Sequence, residues 1–136
     1  TIISHIGNIG EEIAGHLLRS DESIAQSIVQ KIIEIDPKIE ERKNELKDKL
    51  EFEGPNERDA DFFVKAYEER VGLAEIKTTS EFDRFSKKHF DEEDETRLRG
   101  HFSQHPEARF GLKMWIYFDP RSAFFAYDYE VALPYD

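Results

Sequence analysis

The sequence has no cysteine among its 136 residues, which excludes a disulfide and a thiolate metal site. This absence is typical of cytosolic proteins and predicts a cytoplasmic location. No apolar run reaches the roughly 20 residues that a membrane-spanning helix needs, and no signal peptide is visible. We therefore expect no membrane partner. Because the chain begins with Thr1 and not with Met, we expect either a trimmed chain or a piece of a longer protein.

Positive charge is also scarce, since 19 Lys and Arg residues stand against 30 Asp and Glu residues, for a net charge of −11. This deficit argues against a nucleic-acid partner, because phosphate binding normally depends on Lys and Arg. A bound divalent cation would offset part of it. Two stretches could form local basic patches: Arg42, Lys43, Lys47 and Lys49 in one, and Arg84, Lys87, Lys88, Arg97 and Arg99 in the other. Acids interleave both stretches, so a solvated, ion-paired helix surface is the alternative interpretation.

The length suits one domain over residues 1–136, and the apolar spacing predicts helices first and strands later. Four isoleucines at helical spacing and a restart at Asp36 mark residues 21–50 as an inserted helical segment. The expected strands are a short one at 50–53, a hairpin over 61–67 and 71–78, and two more at 111–118 and 123–131, with helix and loop over 80–105. This order predicts an α/β (α+β) fold in which helices flank a mixed sheet.

The hairpin carries three charged residues, Asp61, Glu75 and Lys77, in an apolar setting. Since side chains alternate along a strand, Glu75 and Lys77 share one face. A hairpin centred on Glu69 pairs residues whose numbers sum to 138, which places Asp61 opposite Lys77 and diagonal to Glu75. Another register would leave Asp59 as the acid beside Glu75. An Asp, a Glu and a Lys on one sheet surface can hold a hard cation and orient a water for phosphodiester cleavage.

The alternative for these three residues is a surface salt bridge across the strands. The apolar neighbours of the hairpin disfavour that alternative, because charges on buried strands need a partner or a purpose. His101 and His105 have the i, i+4 spacing of a helical zinc site, but Pro106 follows and no third ligand is evident, so we expect no zinc. The aromatic residues between 115 and 129 could stack bases, although hairpin core with one exposed side is the favoured interpretation.

The combination of motifs resembles the PD-(D/E)xK nuclease superfamily, which has the restriction-endonuclease-like fold. That family core is a helix, a strand hairpin with the acidic motif, a helix and further strands. Asp61 precedes the Glu75-Ile76-Lys77 motif by fourteen residues, and residues 7–11 read Gly-Asn-Ile-Gly-Glu, similar to the G-x-x-G-E pattern of many members. The resemblance covers roughly residues 5–19 and 58–118. The motif departs from the family in having Ala60 where a proline is usual.

The resemblance implies a Mg²⁺-dependent DNA endonuclease of restriction, defence or repair type, with Mn²⁺ as a substitute metal. Asp61, Glu75 and the backbone carbonyl of Ile76 are the implied metal ligands, and Lys77 and Glu11 complete the implied catalytic set. Glu11 also has a simpler interpretation as a favourable charge near a helix N-terminus. Double-stranded DNA is the expected partner, together with a second copy of the chain or further domains of the same protein. The alternative is a non-catalytic acidic domain that serves interaction or assembly.

Overall fold

The computed structural model describes residues 2–134, with side chains from residue 6 onward. The helices are α1 (Ile2–Ser20), α2 (Glu22–Ile35), α3 (Lys43–Asp48), α4 (Phe82–Ser86) and α5 (Glu92–Gln104), and a 3₁₀-helix covers Pro37–Arg42. The strands are β1 (Leu50–Glu53), β2 (Phe62–Ala66), β3 (Glu69–Thr79), β4 (Phe110–Asp119) and β5 (Phe124–Ala132). Within the described range, no helix has both the length and the apolar character that crossing a membrane requires.

The five strands form one sheet in the order β1-β2-β3-β4-β5. Neighbouring strands are antiparallel except for β3 and β4, which are parallel. A parallel pair needs a long crossover connection, and here that connection contains α4 and α5. The predicted α+β class with a mixed sheet and flanking helices is therefore confirmed.

The helical segment before the sheet forms as its sequence predicts. Asp21 caps α2, and its carboxylate accepts a hydrogen bond from the Ser23 N–H at 2.8 Å. The isoleucine stripe of α2 is buried at Ile24, Ile28 and Ile32. These three side chains pack inside this chain.

The sheet separates two clusters of buried side chains. The larger cluster joins α1 and α2 to the sheet and includes Leu18, Ile28 and Phe62. The smaller cluster joins α5 to the opposite face through Leu73 and Leu98. Glu75 and Lys77 follow Leu73 at two-residue steps, so strand alternation directs both side chains to the α5 side. The sheet therefore presents the predicted motif to α5.

The register of the β2–β3 hairpin differs from the predicted one. Phe62 pairs with Ala74 and Phe63 with Leu73, so paired numbers sum to 136 and not to 138. A shift between Val64 and Lys65 accommodates an extra residue, Val71, in β3 after the turn. Because the difference is two residues, the side chains keep their faces, but continuing this register places Asp61 opposite Glu75. The predicted position of Asp61 opposite Lys77 is wrong.

Candidate active site

Asp61 and Glu75 meet at the point where β2 begins. Asp61 lies immediately before β2, and its Oδ2 accepts a hydrogen bond from the backbone N–H of Ile76 at 2.8 Å. This bond takes up an N–H of β3 that lies beyond the last β2–β3 pair. The carboxyl group of Glu75 is hydrogen-bonded to Asp61, and Glu75 is only 4% exposed. The structure thus brings two of the predicted site residues into direct contact.

Glu11 joins this pair from α1. Its carboxyl group is hydrogen-bonded to Asp61. The approach of α1 to β3 depends on the preceding residue, Gly10, since a Cβ there would lie 1.9 Å from the Thr78 Oγ1. The sequence pattern that placed Glu11 after Gly10 therefore has a physical reason, because the glycine lets the helix contact the strand closely. We call Glu11, Asp61 and Glu75 the carboxyl cluster.

The carboxyl cluster resists ionisation. Burial, together with the neighbouring Asp61 carboxyl group, raises the pKa of Glu75 to about 9. Burial also raises the pKa of Glu11, and the charge of Asp61 adds to that effect. Burial raises the pKa of Asp61 as well, although the Ile76 N–H opposes it. The positive charge of Arg97 lowers the pKa of Asp61 and of Glu75, but for Glu75 the effect of burial is the larger one. The three acids therefore cannot all be charged at neutral pH.

His101 is a site residue that sequence reasoning missed. It lies on α5, and its Nδ1 contacts the Glu75 Oε1. Burial lowers the pKa of His101. The signal for its position was the i, i+4 spacing with His105, which puts both side chains on one face of α5. In the structure His101 contacts Glu75 within the hairpin, and His105 contacts Asp59, which precedes it.

Asp59, the alternative acid, belongs to a different contact. Its Oδ1 lies 2.8 Å from the His105 Nε2 and accepts a hydrogen bond from the Ala60 N–H at 2.9 Å. The structure therefore places Asp61, and not Asp59, against Glu75. The ambiguity left by the sequence is resolved by the register of the hairpin.

Lys77 does not join the carboxyl cluster in this arrangement. Its Nζ donates a hydrogen bond to the Asp94 Oδ2 at 2.8 Å and lies 3.9 Å from the Asp91 Oδ2. Asp94 is only 5% exposed, and a reciprocal capping interaction with Asp91 fixes it at the start of α5. The predicted charged triad is thus split: its two acids pair with each other, and its lysine pairs with α5.

The donor set of the site fits a hard cation. No group of three or more His, Asp or Glu side chains within residues 2–134 is already arranged to hold a metal ion. The carboxyl cluster nevertheless supplies oxygen donors of the type that Mg²⁺ and Mn²⁺ prefer. The Ile76 N–H points to Asp61. Because the N–H and C=O of one strand residue point to the same side of the strand, the Ile76 carbonyl is also directed to the side of β3 on which Asp61 lies. A cation would replace the protons that now join the carboxyl groups.

A pocket of about 770 Å³ opens at the start of β3 between Arg70 and Arg109 and contains no member of the carboxyl cluster. A second pocket, of about 340 Å³, is lined by Lys77 and Trp115 among others. Of the predicted site residues, Lys77 therefore lines the 340 Å³ pocket, and none lines the 770 Å³ pocket.

No protein-family model, no curated protein and no solved structure matches this chain. Its function is consequently argued from its own residues and their arrangement.

Proposed function

We propose that this chain is a metal-dependent endonuclease that hydrolyses phosphodiester bonds in DNA and that its fold is restriction-endonuclease-like. The observation that supports the proposal is the carboxyl cluster, in which Glu11 of α1, Asp61 before β2 and Glu75 of β3 come together, burial raises the pKa of all three, and Asp61 raises the pKa of the other two further. Maintaining a buried group of acids costs stability. Such sites are characteristic of functional centres.

The order of the elements agrees with what the family resemblance implies. Helix α1, the β2–β3 hairpin with its acids, helix α5 and strands β4 and β5 follow one another in the chain. The inserted helical segment is α2, the 3₁₀-helix and α3, followed by β1. The contact between Gly10 and Thr78 gives the G-x-x-G-E pattern a role in placing Glu11.

Asp61, Glu75 and the Ile76 carbonyl are the residues that would hold Mg²⁺ or Mn²⁺, with Glu11 supporting Asp61. The metal ion would supply Lewis acidity at the phosphoryl group and lower the pKa of a bound water. His101, in contact with Glu75, positions that carboxyl group, as partners of metal ligands commonly do.

Lys77 is the residue that would orient the attacking water or stabilise negative charge on the phosphoryl oxygens. It shares a strand face with Glu75, two residues further along β3. To act, its ammonium group has to exchange Asp94 for a phosphate oxygen. Its exposure and the adjoining pocket leave room for that exchange. Asp94 would then release the lysine on substrate binding.

The test is cleavage of supercoiled plasmid and of circular single-stranded DNA with Mg²⁺, Mn²⁺ or EDTA. We expect metal-dependent nicking by the native chain. We also expect Glu75→Ala and Lys77→Ala to reduce the rate on the order of a hundredfold or more, as the loss of a catalytic group usually does. Glu12→Ala is the matched control, because Glu12 is the exposed neighbour of Glu11.

The second candidate is an acidic, non-catalytic interaction or assembly domain. The net charge of −11 and the pairing of Lys77 with Asp94 favour it, since both reduce the attraction of the site for phosphate. It becomes the better account if the native chain shows no cleavage with either metal and if the control and site variants behave identically.

A further inference from the structure

An exposed group of aromatic rings lies on the same sheet face as Lys77. We call Phe82, Phe85, Tyr117 and Phe124 the aromatic platform. Phe82 and Phe124 are each 56% exposed. The Tyr117 ring lies 5.3 Å from the Phe82 ring and 6.1 Å from the Phe124 ring, centroid to centroid. The rings thus contact one another and still present open faces to solvent.

The aromatic platform is not part of the protein core. Neither buried cluster includes its members, and Phe82 is more than half exposed. Contiguous exposed apolar rings are uncommon on protein surfaces and mark binding sites. Burial in the protein core therefore does not explain why α4 and the ends of β4 and β5 carry these rings.

The platform continues into the pocket beside Lys77. Lys77 pairs with Trp115, and Tyr117 follows Trp115 by two residues on the same face of β4. The pocket, of about 340 Å³, is lined by Phe85 of the platform together with Lys77, Arg84, His89 and Trp115, among others. The Trp115 indole N–H is buried and has no hydrogen-bond partner among the described residues. The pocket thus adjoins both Lys77 and the aromatic platform, and its lining carries Asp91 as well as cationic side chains.

The segment beside the rings is less acidic than the whole chain. Residues 82–90 contain three Lys or Arg residues and one aspartate, whereas the chain has a net charge of −11. Arg84 and Lys88 pair with Glu81 and Asp128, and Asp83 offsets the charge of Lys87. The charge next to the rings is therefore close to balanced, and Lys87 is a cation that neither of these ion pairs engages.

We propose that the aromatic platform binds unpaired nucleotides of a single-stranded nucleic acid and leads the strand past the Trp115 pocket toward Lys77. Bases would stack on the exposed rings of Phe82 and Phe124, and Lys87 would attract the phosphates. In a duplex the bases are already stacked and paired, so their faces are not available to such a platform. The inference about binding stands on the platform, and only its link to cleavage rests on the proposed function.

The experiment measures binding in EDTA, so that metal-dependent cleavage does not enter. Fluorescein-labelled twelve-residue oligo(dT), oligo(rU) and a blunt twelve-pair duplex are titrated with the native chain at low salt, with anisotropy as the readout. Trp115 is the only tryptophan, so its fluorescence with unlabelled oligonucleotide reports on the pocket. We expect both single strands to bind more tightly than the duplex, with an affinity that falls as salt rises. The two single-strand arms show whether DNA or RNA is preferred.

Variants locate the binding site. Phe124→Ala and Phe82→Ala should each weaken oligo(dT) binding on the order of tenfold or more, because stacking of one base is lost. Tyr67→Ala is the matched control, since Tyr67 is an exposed aromatic beside Arg42, with the guanidinium 5.0 Å from the ring centroid, in the distant β2–β3 turn. It should bind like the native chain. Circular dichroism of each variant checks that the fold is retained.

Three results would overturn the proposal. They are stronger binding of the duplex than of either single strand, equal binding by the folded platform variants and the native chain, and a platform that is covered by a second copy. Sedimentation of the free chain tests the last, because a dimer that dissociates in Phe124→Ala would assign the rings to self-association. None of these results affects the plasmid-cleavage test, so the two proposals can fail separately.

Discussion

Replacing Glu75 with glutamine should stabilise this protein in metal-free buffer. Glu75 is buried against Asp61, and its pKa is raised to about 9 from an ordinary value of 4.5. Between these two pH values the folded chain retains a proton that the unfolded chain has released, so the free energy of unfolding falls as pH rises. The loss begins near pH 4.5 and is complete above pH 9.

The magnitude follows from the pH difference. At pH 7 the solution is about 2.5 pH units above the ordinary pKa of Glu75. At 1.36 kcal/mol per unit, keeping Glu75 protonated in the folded chain lowers the free energy of unfolding by on the order of 3 kcal/mol. Glutamine has the same shape, carries no titratable proton and can still hydrogen-bond to Asp61 and His101. For a chain of this length we expect the melting temperature to rise by roughly 10 °C.

The assay is urea unfolding of the native chain and Glu75→Gln in EDTA at several pH values from 5 to 9. Asp94→Asn is the matched control, because Asp94 is also buried but has a cationic partner in Lys77. That control should lose stability, since it loses an ion pair. If Glu75→Gln is no more stable than the native chain at pH 7, and if both show the same slope of stability against pH, the electrostatic account of the carboxyl cluster is wrong.

Two further substitutions test how the fold positions the site. Gly10→Ala should lower the free energy of unfolding by a few kcal/mol, because the new Cβ would overlap Thr78. Gly7→Ala is the control: its Cβ meets nothing within 4 Å, so the free energy of unfolding should rise by up to about 1 kcal/mol. Equal urea midpoints for the two variants would contradict the close approach of α1 to β3. Tyr127→Phe should cost about 1 kcal/mol near neutral pH by removing the hydrogen bond that Tyr127 donates to Asp21. That bond raises the pKa of Tyr127 to about 12. Its contribution to the free energy of unfolding is therefore complete below pH 10 and is lost as pH rises toward 12. If the stability difference between the native chain and Tyr127→Phe does not shrink over this range, the assignment is wrong.

Much of the fold was predictable because its signals are local. The isoleucine stripe of α2, the cap at Asp21 and the short strand β1 all follow from residues within one or two turns of the chain. The hairpin register was not predictable, because alternation fixes only which face a side chain takes. Pairs beside the turn sum to 135, and the irregularity at Val64 and Lys65 changes the pairing by one residue, to 136. Together with a turn that lies closer to β2 than predicted, it gives a two-residue difference from the predicted register, which preserves the faces of residues 62–64.

The candidate site was predictable only in part, for a related reason. Asp61 and Glu75 were identified because strand alternation and a short hairpin bring them together. His101 and Asp94 were missed because their contacts depend on how α5 docks on the sheet after the crossover. Asp94 lies at the acidic start of α5, where it is buried and binds Lys77. Which residues of α5 contact the strands depends on the tertiary packing of that helix, and the spacing of residues in the sequence does not determine it.

Binding of Mn²⁺ to the carboxyl cluster is the most direct test of the central claim. Isothermal titration calorimetry in two buffers of different ionisation enthalpy gives both the number of metal ions bound and the protons released. Because Glu75 is protonated at pH 7.5 in the metal-free chain, and because a ligating carboxylate must be ionised, we predict a site that releases about one proton per Mn²⁺ bound. Glu75→Gln should abolish this site, and Glu12→Gln should retain it. Absence of Mn²⁺ binding by the native chain, or equal binding by Glu75→Gln, would contradict the assignment of the carboxyl cluster as a metal centre.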